Sequence, residues 1–285
     1  MKEAWLVVSA FLRTPSFVAM ERAFLEAAAD AGIRLTLRDN ASFLKRDSFD
    51  AAPPAALFFD KDVRLAQLME QRGLRLFNRA RAIAVCDDKT ATFLALEKAG
   101  LPQPRTLLGP VTYPRVGYGD MAFLDIIAHE LGLPLVIKEG YGSFGRQVYL
   151  ARTAAEMRRV LSLTEARPLL FQSFISESAG EDLRIYVVGG EAVAAIRRVN
   201  PSGDFRANLE NGGVAYAHKP SPQEAALAIK ACQAVHADFA GVDILIGNEG
   251  PLICEINSNA HFSGLREATG INPARHILRL IKKEA

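Results

Sequence analysis

Apolar residues recur first at strand spacing and then at helix spacing along the start of the chain. The run AWLVVSAF is typical of a buried strand, and SFVAMERAFLEAAADAG after it repeats apolar residues at helical spacing up to Gly32. Three more strands are predicted for IRLTLRD, AALFFD and LRLFN, with the helix RLAQLMEQRG before the last of them. This alternation predicts a small parallel α/β domain over residues 1–84.

The pattern then changes twice. Residues 85–172 begin with the helix CDDKTATFLALEKAG, capped by Asp87 or Asp88, and continue through a proline-rich extended stretch and a second helix to the strand VIKEG. Residues 173–285 carry the hairpin EDLRIYVVGGEAVAAIRRV, a helix, a second hairpin and the closing helix NPARHILRLIKK. We therefore expect three units: one α/β domain and two lobes of mixed α+β structure.

The second hairpin, GVDILIGNEGPLICEINSNAHF, collects polar residues on one face. If residues 248–250 form its loop, Asp243 lies directly opposite Glu255, with the two Cβ atoms about 5 Å apart, and Asn257 shares their face. The other face is expected to be wholly apolar, with an inert buried thiol at Cys254. Its members are Val242, Ile244, Ile246, Leu252, Cys254 and Ile256.

Two facing carboxylates repel each other unless a cation lies between them. Oxygen-only ligands favour Mg²⁺, or Mn²⁺, so Asp243, Glu255 and Asn257 form a candidate metal site. The alternative is that both acids are solvated on the outer face of an exposed hairpin.

A glycine-rich loop follows the strand that ends near Lys138. In VIKEGYGSFGRQVYL, glycines let backbone N–H groups approach an anion, and the lysine adds a fixed positive charge. The spacing is not that of a Walker A motif, and a plain tight turn is the alternative. Since Mg²⁺ held by carboxylates takes phosphates as its other ligands, the two features together favour a nucleoside triphosphate.

Composition restricts the class of protein. Of the 285 residues, 49% are hydrophobic and 23% charged, and the formal net charge of +2 gives no broad electrostatic surface for nucleic acid or membrane. The three cysteines, Cys86, Cys232 and Cys254, fit neither a disulfide framework nor a zinc site. We expect a cytoplasmic protein without nucleic-acid or membrane partners.

From about Ala82 to Ile281 the chain resembles the RimK-like ligases of the ATP-grasp superfamily. The motifs that carry the resemblance are CDDK, VIKEGYGSFGRQV, FQSFI, EDLRIYVVGGEAVAAIRR, GDFRANLENGG, GVDIL and CEINSN. The resemblance implies an ATP-grasp fold behind a Rossmann-like domain. It also implies an ATP-dependent ligase that activates a carboxylate as an acyl phosphate and joins it to an amino acid such as glutamate.

The resemblance also implies roles for individual residues. Those expected around ATP are Lys89 and Lys138 at the phosphates, Ser143 and Gly145 on a lid loop, Ser173 and Phe174 at the adenine, and Asp182 near the ribose. Arg206 and Asn208, with Lys138, are expected to face the γ-phosphate and the acyl phosphate. The metal ligands are the same three residues that the hairpin indicates, and two ions are expected.

The sequence departs from the family after the metal ligands, where it has SNAHFSGLREATG. We expect His261, Phe262 and Arg266 of this loop to border the acyl substrate and to influence which one is accepted. The partners expected are ATP, an amino acid and a carboxylate on a small molecule, a peptide or a protein C-terminus, with a homo-oligomer as a further candidate. An ATP-grasp kinase and a non-catalytic nucleotide-binding regulator are the alternative functions.

Overall fold

Three β-sheets organise residues 2–285, which this computed structural model describes. The first sheet is parallel, in the order β2-β1-β3-β4. Its strands are β1 (Lys2–Val8), β2 (Ile33–Asp39), β3 (Ala55–Phe59) and β4 (Arg75–Phe77), and its helices are α1 (Pro15–Ala31), α2 (Val63–Gln71) and α3 (Ala80–Asp87). After β1 the chain forms β2 on one side of it and then β3 on its other side. The topological switch point of this sheet therefore lies between β1 and β3.

Local sequence signals account for most of these helices and strands. The Thr14 hydroxyl caps α1 by accepting a hydrogen bond from the Phe17 backbone, and Gly32, at φ 68°, ends the helix in the left-handed conformation that glycine adopts without strain. The four predicted strands and the first two helices are confirmed. Helix α3 is not predicted, because it has only eight residues and no side-chain cap.

The second sheet is antiparallel, in the order β5-β8-β6-β7. Its strands are β5 (Thr106–Leu108), β6 (Leu135–Glu139), β7 (Val148–Ala151) and β8 (Leu169–Ser173). Helix α4 (Lys89–Lys98) is capped by the predicted Asp88 and precedes this sheet. Helices α5 (Phe123–Leu131) and α6 (Ala154–Thr164) cover one face of it, where Leu124 and Met157 pack against Ile137 and Phe171.

The third sheet is also antiparallel, in the order β11-β10-β9-β12-β13. Its strands are β9 (Glu181–Val188), β10 (Glu191–Val199), β11 (Val214–Ala217), β12 (Phe239–Gly247) and β13 (Gly250–Asn257). The remaining helices are α7 (Pro222–Ala234), α8 (Ser263–Thr269) and α9 (Pro273–Glu284). The parallel and antiparallel sheets together confirm the predicted α/β class. No helix among residues 2–285 combines the length and the apolar character that a membrane crossing requires.

The first and third sheets share one hydrophobic core. Side chains alternate along β9, so that Ile185 and Val187 face α7 while Tyr186 and Val188 face the core built around α1 and α9. The Phe262 ring lies between Phe24 of α1 and Tyr186, at centroid distances of 5.4 and 6.0 Å. The carboxyl ends of β1 and β3 are thereby held beside the third sheet.

Asn78 makes a fully buried polar connection between these two sheets. Its side chain is fully buried, with Nδ2 donating to the carbonyls of Phe239 and Ser258 at 2.8 and 3.0 Å. Its Oδ1 accepts from the backbone N–H groups of Asp238 and Phe239 at 2.6 and 3.1 Å. One amide side chain therefore satisfies four backbone groups that water cannot reach.

We predict that Asn78→Ala lowers the free energy of unfolding by about 3 kcal/mol or more, because several buried backbone groups lose their partners at once. Urea denaturation followed by circular dichroism measures the change. Asn248→Ala is the matched control, since Asn248 is exposed in the turn between β12 and β13, and its effect should stay within about 0.5 kcal/mol. Similar stability of the two variants would contradict this role of Asn78.

Candidate active site

The hairpin of β12 and β13 brings Asp243 opposite Glu255, as the alternation predicts, but its turn and its register differ from the predicted ones. The turn has two residues, Asn248 and Glu249, and a β-bulge follows, since Asp243 pairs with Glu255 while Ile244 pairs with Ile253. The bulge inserts one residue, Cys254, into β13 and reverses the alternation around it.

The expected apolar face is therefore partly wrong. Ile253, rather than Cys254, is buried in the core with Val242 and Ile244, while Leu252 is half-buried and Ile246 is exposed. The thiol of Cys254 instead lies 3.6 Å from Nζ of Lys138 and lines a cavity. Burial raises the pKa of Cys254, so the thiol is protonated at neutral pH even with the lysine beside it.

Asp243 is compensated by two arginines. It is only 3% exposed, and both of its oxygens accept hydrogen bonds from Arg184 at 2.7 Å, with Nη2 of Arg198 at 3.0 Å. Burial raises the pKa of Asp243, but the two guanidinium groups outweigh it and hold the pKa below its ordinary value. The repulsion expected between Asp243 and Glu255 is thus offset within the protein.

Arg198 also binds the neighbouring carboxylate. Its Nε and Nη2 each lie 2.6 Å from an oxygen of Asp182, and the arginine is only 2% exposed. Asp182 and Arg184, two residues apart on β9, do not pair with each other: Asp182 pairs with Arg198 of β10 and Arg184 with Asp243 of β12. Two arginines and two aspartates form a buried charge network under the site.

A first cavity of about 740 Å³ opens between the second and third sheets. Nine of the predicted site residues line it, namely Lys138, Gly145, Ser173, Phe174, Asp182, Arg206, Asn208, Asp243 and Glu255. Its apolar wall comes from Val136, Val148 and Leu245. A cleft that combines apolar walls with charged side chains matches the general character of a small-molecule site.

Lys138 is a buried cation without a carboxylate partner. It is 7% exposed, and no Asp or Glu oxygen among residues 2–285 lies within 4.0 Å of its Nζ. Lys89 is similarly buried and donates to the Gly142 carbonyl at 3.1 Å, with Glu255 Oε1 at 3.7 Å. Since burying an unpaired charge is costly, the arrangement of Lys138 favours an anionic ligand in the first cavity.

The glycine-rich loop lies over the junction of the second and third sheets. Arg206 Nη1 donates to the Gly145 carbonyl at 2.7 Å, and Asn211 Nδ2 donates to the Phe144 carbonyl at 3.2 Å. Gly145 has a φ of 69°, and a Cβ there would come within 2.8 Å of Asn208 Oδ1, so the close approach requires glycine. The Ser143 hydroxyl contacts Lys61 Nζ at 3.1 Å.

A second cavity of about 890 Å³ lies between the first and third sheets. Ser9 and Asp60 enter it from the carboxyl ends of β1 and β3, beside Lys61. Ser143 and Asn257, two further predicted site residues, also line it. Asn208 and Glu255 line both cavities, so the two spaces meet at these residues.

The three expected substrate residues have different positions. His261 lines the second cavity, and burial lowers the pKa of its imidazole, which is therefore neutral at pH 7. Phe262 is 1% exposed in the core, and Arg266 lies exposed on α8 in a groove against α1, so neither borders either cavity. Packing of α8 on α1 turns Phe262 inward and leaves Arg266 exposed, so that their contact with an acyl substrate stays a prediction.

Sequence reasoning missed Lys61 and the roles of Arg184 and Arg198. The i, i+2 spacing of Asp182 and Arg184 places both on one face of β9, but it does not reveal their partners on β10 and β12. Lys61 gives a weaker signal, namely a polar segment directly after a buried parallel strand.

The comparisons with known proteins agree with this geometry. The model of the RimK-like ATP-grasp domain matches residues 86–281. A probable alpha-L-glutamate ligase of Legionella pneumophila is 37% identical over 220 residues, covering 76% of this chain and 70% of that protein. The ribosomal protein bS6–L-glutamate ligase of Escherichia coli is 36% identical over 246 residues, covering 85% and 79%.

A solved structure extends the comparison to the whole fold. The D-alanine–D-alanine ligase of Bacillus anthracis, complexed with ATP, superposes with a TM-score of 0.73 at 15% identity and covers 100% of both chains. At this identity the likeness concerns the fold, which includes the parallel sheet that precedes the matched domain. The chain belongs to the RimK-like ATP-grasp family.

Proposed function

We propose that this protein is an ATP-dependent ligase that joins a carboxylate, activated as an acyl phosphate, to the amino group of an amino acid. The observation that carries the proposal is the buried, unpaired Lys138 in a cavity that meets a second cavity at Asn208 and Glu255. The first cavity suits a nucleotide with its phosphates toward Lys138, and the second suits the reacting substrate. The named relatives, which are glutamate ligases, support the same chemistry.

The residues at the junction fit a divalent cation. Asp243, Glu255 and Asn257 offer only oxygen ligands, and Nδ2 of the Asn257 amide lies 3.5 Å from an Asp243 oxygen. Oδ1 of Asp243 accepts one hydrogen bond, from Arg184 Nε, and so keeps a lone pair for a cation, whereas Oδ2 accepts from both arginines. We propose these three residues as ligands of Mg²⁺ or Mn²⁺, and we propose that two ions bind. A cation bound there supplies positive charge against the transferred phosphate oxygens.

The chain's own residues position the reactants for two displacements. In the first, a carboxylate oxygen bonds to the γ-phosphorus as the bond from phosphorus to the bridging oxygen breaks, and ADP leaves. In the second, an amine nitrogen bonds to the acyl carbon, phosphate leaves with the acyl oxygen, and the nitrogen loses a proton. Lys138 offers positive charge in the first cavity, Arg206 lines the same cavity while paired with Asp204, and Asn208 offers an amide donor at the junction, which lowers the cost of the charge that develops.

The substrates are proposed from the relatives. Glutamate is the first amino acid to consider, because the two relatives at 36% and 37% identity are named as L-glutamate ligases. The acceptor carboxylate belongs to a small molecule, a peptide or a protein C-terminus. Since ATP is a cytoplasmic metabolite, we place the reaction in the cytoplasm.

The first prediction from the proposed function concerns turnover. With Mg²⁺ present, the protein should release ADP only when a carboxylate and an amine are both supplied, and a chelator should abolish the release. Mass spectrometry should find a product heavier than the acceptor by one amino acid minus water. ADP with a stable phosphorylated product and no need for an amine would indicate a kinase. Nucleotide binding without turnover for any pair would indicate a regulator.

The second prediction concerns Lys138. Lys138→Ala should weaken ATP binding by about 30-fold or more, because a buried charge against phosphate is worth about 2 kcal/mol or more. Lys138→Arg should restore it only in part, since a planar guanidinium does not replace a compact ammonium. Calorimetric titration measures both, and Lys98→Ala, at an exposed position of α4, is the control. Wild-type affinity in both Lys138 variants would remove the basis for placing phosphate there.

The third prediction separates the two carboxylates. Asp243→Asn and Glu255→Gln should both lose turnover, as proposed metal ligands. Asp243→Asn should also lower the free energy of unfolding by about 3 kcal/mol, because it leaves Arg184 and Arg198 with less negative charge than they need. Glu255→Gln should change the free energy of unfolding by no more than about 0.5 kcal/mol, since the nearest cation to Glu255 is Lys89, at 3.7 Å. Equal stability of the two variants in urea would contradict the charge network.

A further inference from the structure

Two buried oxygen atoms on the wall of the second cavity lack a hydrogen-bond donor among residues 2–285. They are Asp60 Oδ2 and Asn259 Oδ1. The other ends of both side chains are fixed, since Asp60 Oδ1 accepts from the Lys61 backbone and Asn259 Nδ2 donates to the Asp60 carbonyl, each at 2.6 Å. Asp60 and Asn259, joined by this hydrogen bond, therefore each hold one free acceptor on the wall of the same cavity.

The charge of Asp60 is also uncompensated. Within the described part of the chain, no Lys, Arg or His nitrogen lies within 4.0 Å of its carboxylate, although Lys61 is its direct neighbour. The Lys61 ammonium turns instead toward Asp87 and the Ser143 hydroxyl. A buried carboxylate oxygen without a donor is costly, so the site is complete only when a ligand supplies one.

The position of Asp60 in the fold points to a ligand site as well. Asp60 follows β3 and Ser9 follows β1, the two strands at the switch point of the parallel sheet. Ligands of open α/β sheets bind in the crevice beyond the carboxyl ends of the strands at such a point. Here that crevice is the second cavity, which reaches Glu255 and Asn257 of the proposed metal site.

An ammonium group matches this pair of acceptors. It has up to three N–H donors and a positive charge, whereas a hydroxyl or a water molecule supplies no charge to balance Asp60. The cations Lys61 and Arg184 also line this cavity, but Asp87 and Asp243 already balance their charges, and the rings of Phe17 and Phe59 supply an apolar wall. The lining thus complements an ammonium group on a carbon skeleton.

We propose that Asp60 Oδ2 and Asn259 Oδ1 bind the amino group of an amino-acid substrate in the second cavity. The inference deepens the proposed function, on which it rests, by assigning two specificity-determining residues. Neither residue acts on the phosphates. They select a substrate with an ammonium group and hold it beside the junction of the two cavities, where Asp60 Oδ2 takes the proton that the ammonium must lose before its nitrogen attacks the acyl carbon.

Binding tests the inference without turnover. With ADP and Mg²⁺ present, the twenty common L-amino acids are titrated into the wild-type protein, and each one that binds is compared with its des-amino analogue (L-glutamate with glutarate, for example). We expect at least one amino acid to bind and its des-amino analogue to bind at least about tenfold more weakly. Binding of no amino acid, or equal affinity for the analogue, would overturn the inference.

Asp60→Asn is the first variant, because it turns an acceptor into a donor with little change of shape. It should raise the dissociation constant and the Michaelis constant of the amino acid at least about tenfold and leave those of ATP unchanged. Asp62→Asn is the matched control: Asp62 caps α2, asparagine caps as well, and this residue does not line the cavity. Asn259→Ala should repeat the effect of Asp60→Asn. Wild-type constants for the amino acid in both cavity variants would refute the assignment.

The outcomes separate this inference from the proposed function. An amino acid that binds through Asp60 without any ADP release or amide product would contradict the ligase and leave the amino-group site standing. Amide formation with wild-type dissociation and Michaelis constants for the amino acid in Asp60→Asn and Asn259→Ala would support the ligase and contradict the amino-group site. Circular dichroism of each variant confirms that the fold is intact before the constants are compared.

Discussion

The site depends on the need to compensate two carboxylates buried side by side in the third sheet. Asp182 of β9 and Asp243 of β12 are taken out of water, and each would be protonated or expelled without a partner. Arg198 of β10 binds both, and Arg184 of β9 holds Asp243 from the other side. The two arginines and two aspartates balance in charge and connect three adjacent strands through side chains.

This compensation also explains how Glu255 can face Asp243. With Asp243 already neutralised, Glu255 is the remaining acid of the pair, and its nearest cation, Lys89, is 3.7 Å away. The bulge at Cys254 adds the single residue that turns Glu255 toward Asp243 and keeps Ile253 in the core. A charge network and one irregular strand position therefore set the geometry of the proposed metal site.

Local patterns in the sequence predicted the strands, the glycine-ended helices and the facing of Asp243 and Glu255, because these depend on residues close together along the chain. The partners of Asp243 could not be predicted in the same way, since they are chosen by the register between strands. Asp60 and Asn259 are about two hundred residues apart in sequence, and only the shared core of the first and third sheets brings them together. The positions of Phe262 and Arg266 could not be predicted for the same reason, because packing on α1 decides which way that loop faces.

The glycine-rich loop links these local arrangements to the chemistry. Arg206 and Asn211 connect it to the third sheet. Lys61, which follows β3 of the first sheet, contacts its Ser143 hydroxyl. The Phe144 ring also meets His261 edge-on at 5.7 Å, on the wall of the second cavity. One loop thus covers both cavities, the one proposed for the nucleotide phosphates and the one proposed for the substrate. Because an acyl phosphate is destroyed by water, a ligase that forms one needs both spaces closed together. A loop attached to both sides of the junction meets that need with a single closure.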